Sequence, residues 1–498
     1  MQTQTDVDVL VIGAGISGIN AGYRLQTETK FNYQIFEARH DLGGTWSMFQ
    51  YPGLRSDSDM FTMGFPFRPW TANKAIADGA DIYDYVRETA EEYGIDKKIT
   101  YNREVHSTEW SSTERQWKVT SLDKTTGNTK TTTCKFVLFC SGYYDYQGGY
   151  QPEVPGMRDF KGKWIHPQAW PKDYDYTGKK MVVIGSGATA VTLLPNLAKK
   201  AKHVTLLQRS PTYMVSLPNA NSQSLLARLV PTMLYFAILR FFLALRNYVF
   251  YWVCQGFPRI SRYVMLSLTK RQLPSRISID PHFSPNYKPW DQRVCLVPDG
   301  DMFKALREGN ADIATGKIDT VTPNGLRLED GQEIEADCIV CATGLNLKLF
   351  GGASLIVDGE KVDTNKRWVF RGQMLSGVPN ASLCFGYTNA SWTLGSDVCV
   401  LYATRLLNEM DKRNISHFAP RGPPGKSIEK SEPMSPLQSG YFLRAKNVLP
   451  RSAGTNYKGG VWAMRSNWFF DWLQARYGGA FDHMDVFYAP KAEAKKVQ

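Results

Sequence analysis

Two glycine-rich turns, each placed between an apolar strand pattern and a helical pattern, constrain the fold of this chain more than any other feature. The first follows the β-branched run at residues 7–12 and reads Gly13-Ala14-Gly15-Ile16-Ser17-Gly18. The second follows the run at residues 181–184 and reads Gly185-Ser186-Gly187-Ala188-Thr189-Ala190. Glycine spacing alone is a weak signal, but a strand before it and a helix after it are typical of a dinucleotide-binding unit. The sequence therefore predicts an α/β fold with two dinucleotide-binding (Rossmann-like) domains.

The residue that ends the second strand of each unit indicates which dinucleotide is bound. In the first unit the strand at residues 33–36 ends at Glu37, whose carboxylate would accept from ribose hydroxyls and repel a 2′-phosphate, which predicts FAD or NAD. In the second unit the strand at residues 204–207 is followed by Gln208 and Arg209. A cation thus replaces the acid, which predicts NADPH with Arg209 on the 2′-phosphate. The alternative is that Arg209 is a solvated surface residue.

Two later strand patterns, at residues 136–140 and 338–341, predict where the chain leaves each unit. They assign residues 1–145 and 346–498 to the first domain, expected to hold FAD or NAD. Residues 146–215, a linker included, and 289–345 form the NADPH-binding domain, with a helical insertion at residues 216–288. The strand-like pattern around Val105 is expected to lay its backbone against adenine.

Cysteine usage and charge limit the class of protein further. The eight cysteines show no zinc-like spacing with histidine, and several lie in apolar runs, which favours a reducing, cytoplasmic compartment and no metal site. The CxxC at residues 338–341 is interpreted as part of a buried strand. The N-terminus lacks the pattern of a secretory signal. The net charge of +12 fits anionic cofactors, and because the basic residues form no run, no nucleic-acid partner is expected.

A long apolar segment lies inside the predicted helical insertion, notably at residues 229–239 and 241–245. Arg228, Pro231, Arg240 and Arg246 interrupt it, so no membrane-spanning helix is expected. Packing within the protein or in a homo-oligomer is favoured, and a monomer is equally open. Peripheral membrane contact through residues 225–257, which would make the protein membrane-associated, is the alternative.

Between the two glycine turns, residues 160–171 read Phe-Lys-Gly-Lys-Trp-Ile-His-Pro-Gln-Ala-Trp-Pro and fit the pattern FxGxxxHxxxWP. With this fingerprint, the chain resembles the class B flavoprotein monooxygenases, and its Trp170-Pro171 ending resembles the Baeyer–Villiger monooxygenase family. Gly43-Gly44-Thr45-Trp46 and the run at residues 51–57 extend the resemblance over most of the chain. Residues 55–60 and 289–293 are similar to the ethionamide-activating monooxygenase subgroup.

The resemblance implies the site residues. It implies that FAD is bound by Gly13, Gly15, Ser17, Gly18, Glu37, Gly44, Thr45, Trp46, Asp57 and the Val105 backbone. It implies that NADPH is held by Gly185, Ser186, Gly187, Ala188, Thr189, Ala190, Gln208 and Arg209, with Arg55, Ser56 and Asp57 near the nicotinamide. Arg293 matches the active-site arginine of the family, and Asp57 would orient it. Many relatives carry a lysine just before that arginine, whereas this chain has Gln292, so its NADPH preference depends more on Arg209.

The implied activity is the NADPH- and O₂-dependent conversion of ketones to esters or lactones through a peroxyflavin, with thioethers as further substrates. A sulfur- or nitrogen-oxygenating flavin monooxygenase is the nearest alternative. A pyridine-nucleotide disulfide reductase is a remote one, because the first cysteine of the chain is Cys134 and no redox pair follows Glu37. His166 of the fingerprint is expected to couple domain movement rather than to transfer protons.

Overall fold

The computed structural model describes residues 5–219, 229–435, 437–454 and 460–490. The strands are β1 (Val7–Ile12), β2 (Tyr33–Phe36), β3 (Ile99–Thr100), β4 (Arg103–Ser111), β5 (Gln116–Asp123), β6 (Thr129–Phe139), β7 (Lys163–Ile165), β8 (Lys180–Ile184), β9 (His203–Gln208), β10 (Met214–Leu217), β11 (Cys295–Pro298), β12 (Ala311–Thr315), β13 (Ile318–Thr322), β14 (Gly325–Leu328), β15 (Glu333–Glu335), β16 (Cys338–Cys341), β17 (Ser354–Val357), β18 (Glu360–Lys361), β19 (Val369–Phe370), β20 (Met374–Leu375), β21 (Ala381–Leu383), β22 (Ile415–Pro420), β23 (Glu432–Pro433), β24 (Arg451–Ser452) and β25 (Met484–Tyr488).

The α-helices are α1 (Ile16–Glu28), α2 (Thr45–Met48), α3 (Met60–Met63), α4 (Gly79–Glu92), α5 (Ala188–Leu197), α6 (Thr232–Gly256), α7 (Pro258–Lys270), α8 (Asp301–Glu308), α9 (Trp392–Arg413), α10 (Gly440–Arg444) and α11 (Trp468–Tyr477). Short 3₁₀ turns lie at Asp96–Lys98, Met157–Asp159, Pro167–Ala169, Leu349–Gly352, Thr364–Lys366 and Ile428–Lys430.

The larger sheet has nine strands in the order β18-β17-β4-β5-β6-β1-β2-β3, with β21 also paired to β6. β1 runs parallel to β2, with Val9 opposite Tyr33, and parallel to β6, with Val9 opposite Phe136. The apolar run of β1 is buried on both faces, which is the environment that such a run requires in a parallel sheet. α1 and α9 cover one of these faces.

The second sheet has five parallel strands in the order β12-β9-β8-β16-β7. Its central strands β8, β9 and β16 have buried side chains on both faces, and α5 and α8 pack against it. The prediction of an α/β fold with two dinucleotide-binding domains is confirmed. The first sheet takes strands from residues 7–139 and 354–383, and the second from residues 163–208 and 311–341, so the chain passes between them twice.

All eight cysteines are buried, and none forms a disulfide bond. The CxxC at residues 338–341 forms the central strand β16, as its interpretation from sequence required. No group of three or more metal-ligating side chains is found among the residues that the structure describes.

The interpretation of the apolar segment needs correction. Arg240 and Arg246 do not interrupt it, because both lie within the single 25-residue helix α6. Arg240 is tolerated there because its guanidinium is buried and donates to the backbone carbonyls of Phe61 and Gly64, at 3.3 and 2.6 Å. By length and composition α6 could cross a membrane, but a single helix of this kind is weak evidence that a chain does so. Only 17% of the apolar 18-residue stretch of α6 is buried inside the protein. Packing within the protein therefore accounts for only a small part of this helix, and packing in a homo-oligomer, the other expected arrangement, stays a prediction. Arg228 and the start of segment 225–257 lie outside the described residues.

Candidate functional site

The first glycine turn has a backbone that few other residues could adopt. Gly13 has a φ of +104°, and a Cβ atom there would lie 2.6 Å from the carbonyl oxygen of Cys140. A Cβ atom on Gly18 would lie 2.0 Å from the carbonyl oxygen of Gly13. Gly15 precedes α1 and brings no side-chain acceptor to its N-terminus. The first-turn N–H groups of α1 are thus available to a pyrophosphate, as an FAD site requires.

Glu37 connects the first glycine turn to the next loop. One carboxylate oxygen accepts from the N–H of Ala14 at 2.7 Å and the other from the N–H of Arg39 at 3.0 Å. Burial raises the pKa of this carboxyl, while the two N–H donors act in the opposite direction. Gly44, with a φ of +57°, lies so close to Gly15 that a Cβ atom on it would be 3.0 Å from the Gly15 Cα. The two loops together form a cradle of bare backbone, which fits a bound dinucleotide.

The remaining residues expected at the FAD site surround this cradle. Thr45 and Trp46 open α2 directly after Gly44, and Trp46 is partly buried against the main core. The Ser17 hydroxyl accepts from the indole N–H of Trp392 at 3.1 Å, so the N-terminus of α9 lies beside the first turn. Val105 lies in β4, buried, next to an irregularity in the pairing with β5.

The second glycine turn has the same design. Gly185 has a φ of +139°, and a Cβ atom there would lie 2.3 Å from the carbonyl oxygen of Ala342. Gly187, which precedes α5 without a side-chain cap, faces open space, and Ser186 and Ala188 are also accessible. Ala190 is buried in the helix. An exposed, uncapped helix N-terminus fits the pyrophosphate of NADPH.

Gln208 and Arg209 end β9 in different environments. The Gln208 amide is buried and donates to the carbonyl of His282 at 2.6 Å and to the Thr315 hydroxyl at 3.0 Å. Its nitrogen is therefore occupied within the protein. Arg209 is exposed and has no ion-pair partner among the described residues. Of the two, Arg209 is the one free to contact a 2′-phosphate.

Arg293 and Asp57 form an ion pair where the two nucleotide-binding domains meet, a region here called the cleft. An Arg293 Nη1 donates to Asp57 at 3.0 Å, and the two side chains are 34% and 49% exposed. Removal from water lowers the pKa of Arg293, but the Asp57 carboxylate and the hydroxyls of Tyr143, Tyr441 and Tyr144 raise it more, so the pKa lies above its ordinary value. The guanidinium is a permanent cation with open access to the cleft.

Sequence reasoning missed the tyrosines around this cation. Tyr143 and Tyr144 are hydrogen-bonded through their hydroxyls at 3.0 Å, and Tyr143 stacks on Trp392 with ring centroids 5.1 Å apart. Burial raises the pKa of both hydroxyls and of Tyr441. The sequence could have indicated Tyr143 and Tyr144, because they follow Ser141-Gly142 at the carboxyl end of the predicted strand β6. No local signal marks Tyr441, which comes from α10 far along the chain.

The structure does not bring Arg55 and Ser56 to the cleft as free groups. The two terminal guanidinium nitrogens of Arg55, Nη1 and Nη2, contact Asp301, the first residue of α8, so Arg55 links the two nucleotide domains. Ser56 is buried and exchanges hydrogen bonds with Ala77. Asp301 is a further residue that the sequence did not reveal.

His166 holds the fingerprint segment against the end of β16. Its Nδ1 accepts from the N–H of Gln168 at 3.2 Å, which leaves Nε2 as the donor to the carbonyl of Gly344, also at 3.2 Å. Burial lowers the pKa of His166, so the neutral form is favoured. Both ring nitrogens are hydrogen-bonded to backbone groups, one within the linker and one after β16, which favours a positioning role.

The chain is similar in sequence and in fold to known proteins. A model of the family described as flavin-binding monooxygenase-like matches residues 6–221. The FAD-containing monooxygenase EthA of Mycobacterium tuberculosis is 46% identical over 469 residues, covering 93% of this chain and 94% of that protein. Oxidized steroid monooxygenase bound to NADP has a TM-score of 0.76 at 19% identity, covering 97% of this chain and 100% of that one. OTEMO in complex with FAD and NADP has a TM-score of 0.75 at 18% identity, with the same coverage.

Proposed function

This chain belongs to the flavin-binding monooxygenase-like family, and from that premise we propose that it converts ketones into esters or lactones. It is an FAD-containing monooxygenase, and its cofactors are FAD and NADPH. The proposed reaction consumes the ketone, O₂, NADPH and a proton, and yields the ester, NADP⁺ and water. The observation that carries the proposal is the Arg293 guanidinium, paired with Asp57 at 3.0 Å and open to the cleft.

The bound cofactors supply hydride transfer and the activation of O₂. The chain supplies a fixed positive charge where oxygen insertion into a ketone develops negative charge. Arg293 stays protonated throughout the neutral range, and its planar fork of donors suits an oxyanion better than a lysine would. Asp57 accepts from one nitrogen of the fork and so orients the others.

We include thioethers among the substrates because oxygen transfer to sulfur needs a proton donor rather than an oxyanion site. The hydroxyls of Tyr143 and Tyr144, joined by a hydrogen bond of 3.0 Å, lie near Arg293 and provide O–H donors there. They are the protonated groups that support this second reaction.

The proposal extends to organisation and location. Residues 1–145 and 346–498 would form the FAD-binding domain and residues 146–215 and 289–345 the NADPH-binding domain, with residues 216–288 inserted. A cytoplasmic location is supported by the eight unpaired cysteines.

The test is product analysis with the purified holoenzyme, NADPH and a panel of linear, cyclic and aryl ketones, with a thioether assayed in parallel. Esters or lactones formed with matching NADPH consumption would support the proposal. Sulfoxide formation without any ester would contradict the proposal and would indicate an enzyme that oxygenates only sulfur and nitrogen. A panel without product, with NADPH oxidised to yield only hydrogen peroxide, would contradict both reactions.

A further inference from the structure

Helices α6 and α7 expose a large apolar surface, here called the α6–α7 face. Residues above one-half exposed include Phe242, Trp252, Phe257, Ile260 and Tyr263. The further exposed large apolar residues of the two helices are Met233, Leu234, Phe241, Val249, Phe250, Val253, Val264 and Leu268. Soluble monomeric proteins rarely expose so many neighbouring apolar side chains without a partner. The α6–α7 face therefore requires an occupant.

The opposite side of α6 is covered by protein. Tyr235, Ala244 and Cys254 are buried there. Phe236 stacks on Phe61 of α3, with ring centroids 6.2 Å apart, and Gln255 donates to the carbonyl of Pro289 at 3.0 Å. A helix that is attached to the protein along its length cannot be surrounded by lipid. α6 therefore lies along the protein surface with one apolar side outward, which is the arrangement of an interfacial helix rather than a spanning one.

The charge around this face has one sign. Residues 229–279, which contain both helices, include seven lysines and arginines and no aspartate or glutamate. On the two helices and just beyond them, Arg246, Arg259, Lys270 and Arg271 are exposed, and none forms an ion pair with any residue that the structure describes. Aromatic and aliphatic side chains beside unpaired cations fit an anionic lipid surface.

A second copy of the chain is the other possible occupant. A two-fold interface places each patch against itself, so the unpaired cations of one copy would meet those of the other without an acid between them. Lipid headgroups avoid this repulsion and supply the missing negative charge. The charge pattern thus favours a membrane over a dimer.

We propose that the α6–α7 face binds peripherally to an anionic membrane, with its aromatic side chains at the headgroup level and its cations paired with lipid phosphates. At the rim of the α6–α7 face, the partly exposed Phe250 and its neighbour Tyr251 contact the ring of Trp290. Trp290 lies three residues before Arg293, so the membrane-bound surface lies next to the cleft. The proposal does not depend on which substrate is oxidised.

The test is co-sedimentation of the full-length holoenzyme with vesicles of phosphatidylcholine alone or with added phosphatidylglycerol. We expect strong binding to the anionic vesicles, reduced but not abolished by high salt, and weak binding to neutral vesicles. Trp252→Ser with Phe257→Ser should lower the partition coefficient at least tenfold. Arg259→Gln with Lys270→Gln should lower it roughly 20- to 30-fold at low salt, since each cation near the surface contributes roughly fivefold.

Tyr488→Ser, which removes an exposed aromatic ring from β25, is the matched control and should bind as the parent does. Each variant is first checked for bound FAD, so that loss of vesicle binding is measured only on folded enzyme. Equal binding by parent and face variants would overturn the proposal. So would a parent that ignores anionic vesicles but forms dimers that Trp252→Ser with Phe257→Ser dissociates, because the face would then be an interface between copies.

Discussion

At the scale of single residues, the site depends on one cation whose charge never changes. Arg293 is about one-third exposed, so a substrate can reach it, while Asp57 fixes its orientation from one side. A fixed donor is most effective where charge appears only in the transition state, because it then stabilises the product-forming step without tightening substrate binding. This places the effect of Arg293 after NADPH oxidation.

Arg293→Ala should retain FAD and its reduction by NADPH but should lose oxygenation by roughly 10²- to 10³-fold. The lost donor acts on charge that develops on the substrate oxygen. Anaerobic flavin reduction and ester formation are measured separately, with the exposed Arg158→Ala as control. Ester formed at the parent rate would show that Arg293 has no catalytic role.

Arg209→Ala should raise the KM for NADPH roughly 10- to 150-fold and leave the KM for NADH nearly unchanged, since a charge-assisted hydrogen bond contributes about 1.5 to 3 kcal/mol. Only NADPH carries the 2′-phosphate, and Gln292 offers no second cation. Lys202→Ala, exposed at the other end of β9, is the control. An equal loss for both cofactors would mean that Arg209 is structural.

At the scale of elements, the packing of α9 against α11 buries the carboxyl of Asp471, whose pKa is raised. Asp471 of α11 accepts from the Tyr387 hydroxyl at 2.8 Å. Burial raises its pKa to about 6, although Arg465 and the Tyr387 hydroxyl act in the opposite direction. The buried pair Arg24 and Asp397, joined by two hydrogen bonds of 2.8 and 3.0 Å, holds the other side of α9 to α1.

The free energy of unfolding should depend on the protonation of the Asp471 carboxyl between about pH 4 and pH 6. In this window the folded protein keeps a proton that the unfolded chain has released, so this group lowers the free energy of unfolding as the pH rises, by up to about 3 kcal/mol. Asp471→Asn removes that dependence. In urea unfolding at several pH values, the free energy of unfolding of Asp471→Asn should rise relative to that of the parent from pH 4 to pH 6. The exposed Asp173→Asn variant should show no such relative change. Parallel curves for Asp471→Asn and parent would contradict the shifted pKa.

Local elements differ in how far the sequence predicts them. β1, its glycine turn and α1 are predictable because they depend mostly on neighbouring residues. Gly18 is required by its contact with the carbonyl of Gly13, and Gly13 by its contact with the carbonyl of Cys140, directly after β6. The orientation of α6 was not predictable, because Arg240 reads as a break until the carbonyls of Phe61 and Gly64, distant in sequence, are seen to accept from it. Tyr441 was missed for the same reason, since it lies far along the chain from both Arg293 and the pair Tyr143 and Tyr144.

At the scale of the whole molecule, a loop of the first domain forms the contact with the second. Tyr51 lies against Thr189 of α5, Asn196 of the same helix fills the space beside Gly53, and Arg55 contacts Asp301 of α8. The same loop continues to Asp57, which pairs with Arg293. Movement of one domain against the other therefore changes the position of Asp57 directly.

Arg55→Ala and Asp301→Ala should each increase the hydrogen peroxide released per NADPH several-fold, because the domains lose the contact that holds the cleft in register. The double variant should be no worse than either single one, since both changes remove the same ion pair. Lys304→Ala, which affects only a pair within α8, is the control. Additive effects of the two substitutions would show that they act independently.

The burial of every cysteine has a consequence for the lifetime of such an enzyme. Hydrogen peroxide leaking from the cleft reacts with thiolates, but burial raises the pKa of Cys295 to about 12 and of Cys338 to about 11, so neither is a thiolate in the folded state. Oxidative damage should therefore begin on molecules that have already opened. A maleimide should label the native enzyme very slowly and then modify all eight thiols together, at the rate of unfolding. Rapid labelling of one thiol in the native enzyme would reveal an opening confined to that strand or helix.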